Sequence, residues 1–65
     1  MVWKFEIFIK DVYEDNLRVI YKEFDKEDFT WCEAWKGCVD YAIESLNGHE
    51  VVYSICSTNE IVRFN

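Results

Sequence analysis

From Val2 to Lys10 the chain alternates, with Trp3, Phe5, Ile7 and Ile9 on one side and Lys4, Glu6, Phe8 and Lys10 on the other. Period two in aromatic and β-branched residues predicts a strand. Asp11 to Asn16 is polar and turn-like, since Asp and Asn bond readily to nearby backbone. Leu17 to about Phe24 predicts a second strand, and the short polar join predicts an antiparallel hairpin. Thr30-Trp31-Cys32-Glu33 then fits a capping box, in which the Thr hydroxyl accepts from an orphan helix N–H and the Glu reaches back. After it Trp31, Ala34, Trp35, Cys38, Val39, Ala42, Ile43 and Leu46 recur at three- and four-residue steps, one apolar stripe on a helix. Asn47-Gly48 is expected to close that helix, with Gly48 left-handed. A rival start lies at Asp25, with Phe24 and Phe29 as a hydrophobic staple.

Val51, Tyr53 and Ile55 alternate with Val52, Ser54 and Cys56, which predicts a third strand. Ser57-Thr58-Asn59-Glu60 reads as a turn and Ile61 to Phe64 as a short closing strand. The expected fold is therefore α+β: a single helix packed on one face of a small antiparallel sheet, in the order ββαββ, with residues 1–65 as one domain. The strand order stays open, 2-1-4-3 being one possibility.

The strands hold more apolar residues than one helix covers. Trp3, Phe5, Ile7, Ile9, Leu17, Val19, Tyr21, Val51, Tyr53 and Ile55 are assigned to the core face. Phe8, Ile20, Phe24, Val52, Cys56 and either Ile61 or Val62 then fall on the second face, interleaved with charged residues. Scattered exposed apolar residues are ordinary in monomers. Gathered on one face, they suit a second protein or a second copy, and Phe8, Ile20 and Phe24 are the candidate contacts there. Edge strands add to that case, with Glu60 and Arg63 as modest guards on the last one.

Charge changes the picture further. The chain has 65 residues and a formal charge of −6. That disfavours direct binding to nucleic acid or to anionic membranes and favours a basic protein partner. On the helix, Glu33, Asp40, Tyr41 and Glu44 form a candidate acidic contact strip. Solvation and the helix dipole are the plainer explanation of such charges. The sharper one is a strip aimed at a basic, nucleic-acid-binding groove. Small acidic inhibitors from phages and mobile elements use that logic; the analogy is one of size and charge, and no motif ties the chain to a family. Gly37 within the helix is expected to be tolerated, the alternative being a close approach by another group.

Catalytic ingredients are sparse. The single histidine, His49, follows the helix stop. Cys38 lies on the buried stripe, while Cys32 is the better thiol candidate. Cys32 and Cys38 are not spaced as zinc ligands usually are, and no phosphate loop or nucleophile elbow occurs. No metal or cofactor is implied. An odd cysteine count, with no apolar leader or membrane-length run, points to the cytoplasm, or to the host cytoplasm for a viral gene. The expected function is a non-enzymatic protein-binding module, an inhibitor that occupies a basic surface; the alternative is a homodimeric self-association domain.

Overall fold

In the computed structural model, residues 1–57 are described in full and residues 61–63 by their backbone. Strand β1 spans Val2–Asp11, β2 spans Asn16–Asp25, helix α1 spans Trp31–Glu44 and β3 spans Glu50–Ser57. The class is α+β, with one helix on an antiparallel sheet. Three full strands are found among the described residues, so the observed order is ββαβ, not the expected ββαββ. Beyond Ser57 only a three-residue ladder, Ile61–Arg63, runs beside Ser54–Cys56. The side chains of Ile61, Val62 and Arg63, and the readings made for Thr58, Asn59, Glu60 and Phe64, lie outside the described residues. β1 is central, with β2 on one side and β3 on the other. The helix crosses over β1 to connect its two neighbours.

The register of the first hairpin corrects the expected core. Asp11 pairs with Asn16, leaving four loop residues. Asp11 Oδ1 accepts from the Tyr13 and Glu14 N–H groups at 2.9 and 3.0 Å, and Asp15 takes a left-handed φ of 56°. An Asp tolerates that conformation better than most residues. Directly paired residues point the same way. With an even loop, odd positions of β1 share a face with even positions of β2. Thus Ile7 pairs with Ile20, Trp3 with Phe24, and Ile9 with Arg18. Ile20 and Phe24 pack against the core, and Leu17, Val19 and Tyr21 turn outward.

A bulge repeats this effect on the other side. Ile7 pairs with Ile55 and Phe8 with Ser54, but Ile9 pairs with Val52. Tyr53 is the extra residue, and it switches the parity of β3. Val52 therefore joins the core side, while Val51 and Tyr53, expected inside, are exposed.

The fully buried set is Phe5, Ile7, Ile9, Ala34, Cys38, Ala42 and Ile55. Large side chains from β1 meet small ones from α1, so the helix lies close on the sheet. Each large apolar group so buried contributes about 1.5–3 kcal/mol. At the N-terminal end of the helix the packing is aromatic: Phe5 stacks on Trp31 at 5.5 Å, and Phe24 meets Phe29 edge-on at 5.1 Å. The staple pair is thus in contact, although the helix begins six residues after Asp25. Its start is the expected capping box. Thr30 Oγ1 accepts from Glu33 N at 3.2 Å, and Glu33 Oε1 accepts from Thr30 N at 2.9 Å.

Gly37 is a fitted notch and not merely tolerated. A Cβ there would lie 2.8 Å from Phe24 Cε1 and 2.9 Å from Cζ. Such contacts require the ring to move, and Phe24 is held between Phe5 and Phe29.

The helix also ends earlier than Gly48. Arg18 Nη2 donates to Ser45 O at 2.7 Å, and Asn47 N donates to Glu50 Oε1 at 2.7 Å. That side chain takes the amide that would have extended the helix. Arg18 holds the same carboxylate through two bonds of 2.8 Å. β2, the helix end and the start of β3 are therefore clamped by one ion pair. Gly48 has φ +36° but sits in the loop beyond the cap.

The clamp has a pH signature. The Arg18 hydrogen bonds, then the Asn47 N–H, hold the Glu50 carboxyl at about 2, below the usual 4.5. A folded-state value below the unfolded one gives stability that is complete above 4.5 and lost as pH falls toward 2. Glu50→Gln should be less stable at neutral pH and should lose less stability than wild type between pH 5 and 2 in urea titrations. Equal acid sensitivity in both would remove the clamp from the account.

The notch is tested by a double-mutant cycle. Helix propensity alone would make Gly37→Ala stabilising by about 1 kcal/mol. In the wild-type chain it should instead destabilise by about 1 kcal/mol through overpacking, and in a Phe24→Ala background it should stabilise. Stabilisation in the wild-type chain would show that Phe24 yields freely.

Candidate functional site

With α1 on one side, the opposite face of the sheet is uncovered. Its centre is Phe8, flanked in the ladder by Val19 on β2 and Ser54 on β3. Around it Tyr21, Leu17, Tyr53 and Val19 are 66%, 53%, 53% and 38% exposed. Val51 lies at the margin, opposite Lys10. Charged groups rim the patch. Lys4 and Glu23 pair across the strands at 3.7 Å, and Lys10 reaches Asp15 at 3.0 Å. Pairs this exposed add little stability. Lys10 also sits 5.9 Å from the Tyr53 ring centre. A shallow depression of about 300 Å³ opens beside Tyr21, lined in part by Lys4, Glu6 and Glu23.

This face is the one anticipated, but most of its residues are different. Phe8 belongs to it. Ile20 and Phe24 do not; both pack under the helix, because the four-residue loop reverses parity between β1 and β2. Leu17, Val19, Tyr21 and Tyr53 take their place. The signal for the first three was present in the spacing of Asp11 and Asn16. The bulge that exposes Tyr53 has no comparable mark in the sequence.

The helix strip is only partly available. Glu33, Asp40 and Glu44 are exposed and, at about 100° per residue, share one side of α1. Glu33 is committed to the cap, where the Thr30 backbone and then its hydroxyl hold its carboxyl below the usual range. Tyr41 is half-buried and leans toward β2, with Lys22 Nζ 4.9 Å from its ring centre. Asp40 and Glu44 have no ion-pair partner among the described residues. They also lie toward the carboxyl end of the helix, whose last turn has no basic residue. The dipole disfavours anions there, so helix stability does not explain them.

The remaining groups converge poorly. Cys38 is fully buried, and desolvation pushes its thiol up to about 11. Cys32 is exposed and Cys56 half-buried; the three described cysteines are free. His49 is exposed, its ring 4.0 Å from that of Tyr13. Among the described residues no group of three or more His, Cys, Asp or Glu side chains could hold a metal. No helix there is long and apolar enough to cross a membrane. A second concavity of about 300 Å³ lies between α1 and β3, lined by Val39, Ile43, Leu46, Val52 and Ile55 among others. Its lining has no polar side chain to orient a ligand. No family model, curated protein or solved structure matches the chain.

Thiol accessibility gives a direct check on this geometry. Cys32 should alkylate first and Cys38 last, with Cys38 reacting only as the protein unfolds. Mass spectrometry of timed labelling reads the order, and early labelling of Cys38 in the folded protein would contradict the packing.

Proposed function

We propose that the protein is a small acidic, non-enzymatic protein-binding module that docks through the outer face of its sheet. The observation that carries this reading is the cluster of Leu17, Val19, Tyr21 and Tyr53 side chains exposed around Phe8. An apolar, Tyr-bearing centre with charges at the rim is the usual anatomy of a binding interface. The charge of −6, and Asp40 and Glu44, which have no ion-pair partner among the described residues, favour a basic partner, which they steer during approach. An inhibitor that occupies the nucleic-acid-binding surface of a host protein, in the manner of phage and mobile-element inhibitors, fits that size and charge. It would act in the cytoplasm, the host's if the gene is viral, without a cofactor. Self-association is the second reading, favoured by the balanced charges next to Phe8 on the sheet face.

The test is affinity capture from the native cell with three baits: wild type, Val19→Asp, and the double reversal of Asp40 and Glu44 to Lys. Val19→Asp should lose the partner while keeping its circular dichroism. The charge reversal should weaken capture and flatten its salt dependence. Full retention by Val19→Asp would remove the sheet face, and unchanged salt dependence would remove the steering role.

A further inference from the structure

We propose that two copies of this chain stack outer face to outer face on a two-fold axis through Phe8. The inference rests on the second reading of that face, self-association, and fixes its geometry. Charge is the first argument. The chain carries −6, whereas the four charged side chains nearest Phe8 on this face, Lys4, Glu6, Lys10 and Glu23, sum to zero, and Asp15 on Lys10 and Asp25 opposite Val2 bring the whole face to −2. A second copy meets less repulsion over the centre of this face than over the acidic remainder of the protein.

Self-complementarity is the second argument. An isologous contact pairs each position with its mirror about the axis. With Phe8 on the axis, Lys10 of each copy lies over Glu6 of the other, each two residues, or about 6.6 Å, from the centre. Glu6 has no ion-pair partner in its own chain among the described residues. In the ladder it faces Tyr21 and Cys56. The stack supplies its missing cation twice, and Lys10 keeps Asp15 on its solvent side. Stacked sheets sit about 10 Å apart with strands near −30°, so Val19 and Tyr21 fill the space beside the central Phe8 pair.

In this arrangement both helices lie on the outside, and Asp40 and Glu44 of the two copies face opposite directions. The dimer therefore displays two acidic helix surfaces.

Sedimentation equilibrium of the full chain at micromolar concentration tests the proposal. The expected result is a dimer that Val19→Asp, or Tyr21→Glu at a more exposed position, converts to a monomer with unchanged circular dichroism. Lys10→Glu and Glu6→Lys should each weaken association roughly fivefold or more, and the two together should restore it, as coupled charges do. Failure of the double swap to restore association overturns the axis through Phe8. A strict monomer overturns the dimer alone, since loss of captured protein by Val19→Asp would still support the face. A dimer that persists in both Val19→Asp and Tyr21→Glu overturns the stack, whereas the docking reading falls only if Val19→Asp also keeps its captured partner.

Discussion

The pairing of Asp11 with Asn16 across four loop residues decides which side chains of β2 meet the helix. Asp11 accepts two loop N–H groups, and Asp15 takes the left-handed conformation that brings the chain back. One residue more or less in this loop would exchange the two faces of β2. The observed parity sends Arg18, Ile20, Lys22 and Phe24 inward. Phe24 then requires the notch at Gly37, and Arg18 reaches the helix end and Glu50. It sends Leu17, Val19 and Tyr21 outward, where no helix covers them.

The price of covering one face only is a patch of apolar surface that a chain this small cannot hide. A helix of 14 residues is about 21 Å long and lies mainly over β1. Its fully buried positions are small, Ala34, Cys38 and Ala42, and its bulk comes from half-buried Trp31 and Trp35 at the flank of the stripe. Phe5, Phe24 and Phe29 complete the aromatic volume around its first turns. One face of the sheet is thus buried under the helix and the other left open, and the bulge at Tyr53 extends the division to β3 by switching its parity beside Ile9.

The helix back shows a similar separation along its length. Glu33 near the start serves the fold, satisfying a backbone donor and complementing the dipole. Asp40 and Glu44 near the end have neither task. Exposed carboxylates at the unfavourable end of a helix are the part of the acidic strip that local structure does not account for. Tyr41, by contrast, packs against the core beside Lys22.

Local chemistry alone determined the two paired strands, the capping box at Thr30, the buried helical stripe and the third strand, because each depends on neighbours within a few residues. It also determined that the sheet holds more apolar side chains than one helix covers. Only the tertiary structure decided which ones remain outside. That choice follows from one loop length and one bulge, each of which inverts a whole strand, and alternation by itself is indifferent to that inversion. The early helix end and the need for Gly37 depend on Arg18, Glu50 and Phe24, residues distant in sequence that meet only after the sheet has formed.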